Sequence, residues 1–558
     1  MEETTLPVLI AGAGLAGLST AMFLGVHGVR SLVVERHPGL STQPKARGQM
    51  PSTMEALATA GVAERFVRAA PLGRGENKIV IAESVTGPVL HNFVRKMPDL
   101  SMFSPVPMAS TSQERAERIL AARAIELGAD IAFSTELERF HQDDDQVTAV
   151  LRDTVTGERR TLTARYLVGA DGHKGPARDM AGIATHGRSW HDTAPSDRSG
   201  LPDPHGPDRA ADPGDRPART LFLQFESDLE VALNGSAFGL FYLQNPALPG
   251  GSATIVTTDH PGRYVLSCAL ASGGEPGAER LTELIRTACG IPDLDVKILD
   301  AAWSSTGDHI TRVADTFQAG RLFLTGDAAH LMPPTGGQGG NTAVLDGYHL
   351  AWKLAAVLGG TAGPALLTSH DAERRPFADA LAEQQYANMV QRQAPHLHDE
   401  TVAEIMDPAV GLFGYVCPSG AFVPEERADA PALFEHPAAP SGRPGSRAPH
   451  IRLTRAGAPI STRDLFGPRF VLLTGPDGGP WAEAAGDAAR NLGLTLDLHA
   501  IGGSSDLADP DGRFPSAYGV TPTGAVLVRP DGVIAWRSPD GTAPQDLEHA
   551  LRRVLHRN

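Results

Sequence analysis

Gly12-Ala13-Gly14-Leu15-Ala16-Gly17 places glycines at the first, third and sixth positions of a six-residue turn, and Glu35 follows 18 residues after Gly17. This is the spacing that phosphate chemistry needs. The first glycine allows a tight turn, the second lets backbone approach a pyrophosphate, and the third lets helix pack closely on strand. Leu15 and Ala16 belong to the same phosphate-facing turn, and the helix after it offers unpaired N–H groups and a positive dipole end to the phosphates. A carboxylate at Glu35, with Arg36 beside it, suits the two hydroxyls of a ribose and disfavours a 2′-phosphate, so NADP does not fit as the occupant of this turn. FAD and NAD both remain open on these residues alone, and the competing reading is an ordinary glycine-rich turn.

The elements around the turn come in the required order. Leu6–Ala11 is an apolar run suited to a buried parallel strand. A helix follows from Leu18 to His27, closed by Gly28, and a second strand runs from Ser31 to Val34. Residues 113–128 are expected to form an amphipathic helix, with strand-like pieces at Ile131–Phe133, Thr148–Arg152 and Tyr166–Val168. Residues 185–218 are crowded with Pro, Gly, Asp and Arg and read as a mobile insertion. Four close-set strands, Thr220–Phe225, Phe238–Leu243, Ala253–Thr257 and Tyr264–Ala269, predict an antiparallel sheet. Arg321–Thr325 is another buried strand, and a long helix is expected from near Asn341 to Leu358. Residues 425–448 read as a Pro- and Ala-rich linker. After it, alternating strands and helices predict a small α/β domain.

Two later stretches decide between FAD and NAD. Tyr166-Leu-Val-Gly-Ala-Asp171-Gly172 with Arg178, and Gly326-Asp327-Ala-Ala-His330 continuing as Pro333-Pro334-Thr-Gly-Gly337-Gln-Gly339-Gly340-Asn341, follow the glycine turn in order. Together the three motifs resemble those of the p-hydroxybenzoate hydroxylase-like family, the single-component flavoprotein aromatic hydroxylases. The end of the chain, with Phe470–Thr474 and Arg529–Trp536, resembles the thioredoxin-like tail of phenol and aromatic-polyketide hydroxylases, without a CxxC pair. The resemblance implies an α/β fold: a Rossmann-like FAD-binding domain, an antiparallel-sheet substrate domain and a thioredoxin-like C-terminal domain. On this reading residues 1–75, 101–184 and 301–358 bind FAD, and 76–100 with 185–300 form the substrate domain. Residues 359–424 connect to the linker, and 449–558 form the tail.

The same resemblance implies roles for single residues. Asp327 would bind the ribityl chain, and Pro334, Gly337, Gly339, Gly340 and Asn341 would lie against the isoalloxazine ring, with the Gly340 and Asn341 N–H groups on its pyrimidine edge. Asp171 and Gly172 join the cofactor set. Gln113 would contact the phosphate or ribose, and Lys45 and Arg47 fall where such enzymes carry a basic residue on the flavin. Gly340 replaces the bulkier residue usual before the asparagine. The implied reaction consumes NADPH or NADH and O2, passes through a flavin C4a-hydroperoxide and hydroxylates an aromatic, polyketide-like substrate. Tyr242, on the presumed substrate sheet, is the candidate base or phenolate stabiliser. His330 is expected to be a structural hydrogen-bonder.

Bulk properties agree with a small-molecule enzyme. A chain of 558 residues predicts two to four domains at roughly 100–200 residues each. A formal charge of −16 without a basic run argues against nucleic acid. Three widely spaced cysteines and an acidic, non-basic start point to a reducing cytoplasm. No apolar run reaches the roughly 20 residues of a membrane span, and no HExxH or similar metal pattern occurs. A monomer or homodimer is expected. The alternatives are Baeyer–Villiger, epoxidising or antibiotic-inactivating oxygenation on the same scaffold, and a non-catalytic flavin-binding scaffold. A halogenase is disfavoured because no Trp-x-Trp-x-Ile-Pro segment is present.

Overall fold

The computed structural model describes residues 5–42, 47–70, 77–93, 99–189, 219–236, 238–270, 276–304, 309–426 and 432–557. Lys45 and most of the expected insertion, residues 190–218, lie outside the described residues. The first residues of that stretch belong to the fold: Thr185–His186 pairs antiparallel with Arg312–Ala314.

The first unit is built on a sheet in which Leu6–Ala11 lies between Arg159–Gly169 and Ser31–Val34, parallel to both. Val8 and Ile10 face one apolar cluster, while Leu9 and Ala11 face another. Both sides of the strand are covered, so its sequence is continuously apolar rather than alternating. The register aligns Ala11 with Val34 and Gly169, and Gly169 with Leu324. Four parallel strands therefore end side by side, delivering Gly12, Glu35, Asp171 and Asp327 to one edge, where doubly wound sheets bind their ligands.

The second unit is a seven-stranded sheet containing all four expected antiparallel strands. Lys78–Ala82 joins it parallel to Gly239–Gln244. Lys297–Ser304 pairs with Arg219–Glu226, which carries this unit past residue 300, where the boundary was expected.

Two helices, Gln338–Leu358 and Ser369–Arg392, connect this body to the tail. The tail sheet runs in the order Leu496–Ala500, Phe470–Thr474, Ala525–Val528, Ile534–Ser538, with the first pair parallel and the others antiparallel. That is the thioredoxin-like arrangement. The described part of the expected linker is a packed strap: Ser446 and Ala448 are buried, and Val416 and Val533 bridge to Ser446 and Arg447. Its Pro and Ala content reports local chain preferences, whereas its burial comes from partners remote in sequence. No helix among the described residues is long and apolar enough to cross a membrane. All three cysteines are free and buried.

Candidate active site

The three glycines of the first turn do different work. At Gly17 an added Cβ would lie 1.9 Å from the Gly12 carbonyl oxygen, and at Gly12 it would lie 2.3 Å from that of Ala170. Those two positions are closed by protein. At Gly14 the nearest atom is a Glu117 carboxylate oxygen 4.0 Å away, so protein packing does not require glycine there. Open space where the backbone is bare is what a pyrophosphate needs.

Glu35, at the end of strand Ser31–Val34, accepts the Ala13 N–H at 2.9 Å and the His37 N–H at 3.0 Å. Burial works against its charge, but those hydrogen bonds and the His37 ring prevail and hold its carboxyl below the usual range. It is thus a carboxylate poised beside the turn. Arg36 is exposed next to it.

Asp171 caps the short helix Pro176–Met180 by accepting the Ala177 N–H at 2.9 Å, and its Oδ1 is buried without a hydrogen-bond partner. Desolvation pushes its carboxyl up to about 6, against the pull of that N–H and of the Arg178 and Arg36 charges. Gly172 follows with φ +80° and open space at its Cβ position. Arg178 is buried and donates to the Ala328 carbonyl at 3.0 Å, tying the Asp171 motif to the Asp327 motif. Asp327 itself is exposed in the turn Gly326–Ala328.

The long helix begins at Gln338, with Gly337 as its N-cap at φ +67°, one turn before the expected start. Its free N–H groups therefore belong to Gln338, Gly339 and Gly340, because the Asn341 N–H falls inside the first hydrogen-bonded turn. The buried Asn341 side chain instead staples the loop: it accepts the Met50 N–H at 2.8 Å and donates to the Gly337 carbonyl at 2.7 Å and the Gly48 carbonyl at 3.2 Å. Exposed Pro334 accepts the Gly337 N–H at 3.1 Å and forms the turn.

These segments converge. Leu15, Gln113, Gly337, Gly340 and Asn341 line one cavity together with Gly48 and Gln49. At Gly337 and Gly339 an added Cβ would meet nothing nearer than 3.9 Å and 4.0 Å respectively. The glycine positions leave backbone bare on one side of this cavity, which suits a flat ring system lying close against it. The buried Oδ1 of Asp171 is an acceptor that no protein group fills.

Arg47 is committed elsewhere. Its guanidinium donates to the Ser110 and Thr257 carbonyls, both at 2.9 Å, and to Asp259 at 2.6 Å. His330 is a hydrogen-bonder as expected: its Nε2 lies 2.7 Å from Asp346 in the core.

Tyr242 is 3% exposed, and the Arg392 guanidinium lies over its ring at 5.5 Å and over Phe93 at 4.5 Å. Arg392 also donates to Asn388 at 2.9 Å, and Asn388 stands 3.4 Å from the Cβ position of Gly336. The Tyr242 cluster is thus one side chain away from the glycine loop. Neither Arg392 nor Asn388 stood out in the sequence, since both lie in a stretch that read only as connecting helix.

Comparison with known proteins agrees with this geometry. An FAD binding domain matches residues 5–195 and 210–385, and an aromatic-ring hydroxylase C-terminal domain matches 441–557. The chain is 38% identical to a 4-methyl-5-nitrocatechol 5-monooxygenase from a Burkholderia species, covering 100% of this chain and 98% of that one. It is also 38% identical to aklavinone 12-hydroxylase RdmE of Streptomyces purpurascens, over the whole of both chains. Among solved structures, aklavinone-11 hydroxylase with FAD and aklavinone superposes with a TM-score of 0.87 at 38% identity, again over the whole of both chains. The flavin-dependent monooxygenase PieE superposes with 0.84 at 29%, also over both chains. The chain belongs to the FAD-binding aromatic-ring hydroxylase family, and it is an FAD-dependent monooxygenase.

Proposed function

We propose that this enzyme hydroxylates a large planar phenol of the aromatic-polyketide class, using NADPH or NADH as electron donor and O2 as oxygen source. The observation that carries the reading is the cavity shared by Leu15, Gln113, Gly337, Gly340 and Asn341. It is supported by relatives named for aklavinone and tetracenomycin, each covering the whole of this chain. FAD, when bound, supplies the redox and oxygen-activating chemistry, and the protein's part is placement, proton control and exclusion of water.

The chain's own residues divide that work. Glu35 and the Gly12–Gly17 turn hold the adenosine and pyrophosphate end. Asp327 faces the ribityl region, and the N–H groups of Gln338, Gly339 and Gly340 present a positive helix end to the ring. Tyr242 is the candidate group for handling the substrate's phenolic proton. The Arg392 guanidinium lies over its ring, 5.5 Å from the centroid, and places a cation beside the candidate group. A second reading, a substituted single-ring catechol, draws on the Burkholderia relative.

The test is the visible spectrum of the purified protein, followed by anaerobic NADPH addition with a panel of anthracyclinone-type polyketides and nitrocatechols. Flavin bands that bleach much faster with a polyketide support the first reading, and acceleration by nitrocatechols alone selects the second. A colourless protein that cannot be reconstituted with FAD sinks both.

A further inference from the structure

The tail does more than pack against the flavoprotein body. Glu373 and Arg374 are consecutive on helix Ser369–Arg392, and both are buried. Neighbouring helix residues point about 100° apart, so the two side chains reach different partners. Glu373 faces the tail. It accepts both Arg529 Nη groups, at 2.6 Å and 2.8 Å, and Lys353 Nζ at 2.7 Å. Arg529 is completed by Asp531, which also accepts from His349 Nδ1 and Trp352 Nε1, both at 2.9 Å, on the helix that starts at the flavin cradle.

Arg374 faces the other way. Its Nε donates to Asp346 at 2.8 Å and its Nη2 to the Thr342 hydroxyl at 2.8 Å. Asp346 in turn accepts the Gly326 N–H at 2.9 Å and pairs with His330 Nε2 at 2.7 Å. One carboxylate therefore braces the turn that carries Asp327, and its arginine braces the helix turn that carries Asn341. These are two of the strands of chain that converge on the flavin cradle.

The geometry points to Arg529 of the C-terminal domain as a positioning residue for the flavin site, acting through Glu373 and Arg374 on Asp346. The inference rests on the FAD reading of that site. Fully desolvated ion pairs of this kind contribute little net stability relative to apolar packing, so fixing a unique arrangement is the better account of them. Energetic coupling of this sort demands a measured interaction between the ends, not mere continuity of contacts.

The experiment uses the full chain. FAD affinity is measured by fluorescence titration of apoprotein, and the two-electron potential of the bound flavin is measured beside it, for wild type, Arg529→Met, Arg529→Lys, Asp346→Asn and the Arg529→Lys/Asp346→Asn double variant. Arg537→Met is the control, because it breaks a tail ion pair with Glu425 that lies outside the Arg529–Glu373–Asp531 network. The expected result is a tenfold or larger loss of FAD affinity with a shifted potential in Arg529→Met and Asp346→Asn, and partial recovery in Arg529→Lys. The double variant should lose less than the product of its single effects, and Arg537→Met should stay within twofold of wild type at a comparable fall in Tm. Should Arg529→Met not fold, Arg529→Lys decides: a lowered Tm with unchanged affinity and potential overturns the proposal, as do additive effects or an equal loss in the control. Wild-type protein that binds no FAD at all overturns the FAD reading and this inference with it, an outcome separate from the variant comparisons.

Discussion

Arg47 and Asp259 meet at 2.6 Å with 6% and 7% of their side chains exposed, joining the strand beside the flavin cavity to a loop of the substrate sheet. Asp259 also takes Arg115 Nε at 2.9 Å and the Ser112 hydroxyl. One carboxylate thus neutralises two cations across the boundary between units. Burial alone would lower the basicity of Arg47; Asp259 opposes that loss. Asp259→Ala leaves the buried Arg47 without its counter-charge and is expected to destabilise the apoprotein by about 3–5 kcal/mol. Removing the pair together, as Arg47→Met/Asp259→Leu, is expected to cost less than Asp259→Ala. Denaturant midpoints of the three proteins check this, and equal losses in single and double variants would refute the account.

Gly14 and Gly17 should separate folding from cofactor binding. Gly14 has φ −85°, a conformation open to any residue, and space at its Cβ position, so Gly14→Ala is expected to leave the apoprotein's Tm nearly unchanged. The same methyl would occupy the pyrophosphate's approach, so FAD affinity should fall by at least tenfold. Gly17→Ala puts a methyl 1.9 Å from the Gly12 carbonyl and should destabilise the apoprotein itself. The pair is scored by apoprotein melting alongside FAD titration. Loss of Tm without loss of affinity in Gly14→Ala would move the pyrophosphate elsewhere.

What could be read in advance follows the range of the interactions involved. The turn Gly12–Gly17 and its acid Glu35 sit within one βαβ unit, where local spacing dictates geometry, and they were legible. The four strands of the substrate sheet were legible too, but Lys297–Ser304 was not, because Lys-Ile-Leu-Asp-Ala-Ala-Trp-Ser does not alternate cleanly. The start of the helix at Gln338 was misplaced because three glycines near its N-terminus lower helix propensity, and the Asn341 staple to Gly48 and Met50 that offsets them is invisible in the local sequence. Arg392 and Asp346 were missed for the same reason. The contacts of Arg392 with Tyr242 and Phe93, and of Asp346 with Gly326, His330 and Arg374, all cross more than a dozen residues of chain.

Tyr242→Phe is expected to lower turnover about a hundredfold while FAD stays bound, a loss within the usual range for removing one proton-handling group. Because Arg392 lies over the ring, Arg392→Met removes the cation beside it and should also lower turnover while FAD stays bound. Steady-state rates for the three proteins test both statements. Undiminished turnover in Tyr242→Phe would remove this residue from the chemistry and leave it as packing.

His186 carries a pH-dependent anchor. Its Nδ1 lies 2.7 Å from Asp315 and its Nε2 2.9 Å from Asp379, on helix Ser369–Arg392. Both partners are acceptors, so only the imidazolium satisfies both, and the hydrogen bond to Asp315 leads the causes that raise its pKa above 6.5. With the folded value raised, the bridge contributes fully below the ordinary value and is lost as pH rises through the raised one. The ring is half-exposed, so the effect is small and local, and Arg188 still holds the segment through Glu383 at 2.7 Å. Amide exchange over Thr185–Ser189, corrected for intrinsic rates, should show weaker protection at about pH 8.5 than at about pH 5.5. His186→Gln should show weak protection at both. Equal protection at the two pH values in the unsubstituted protein would mean that the imidazolium bridge contributes nothing to holding this segment.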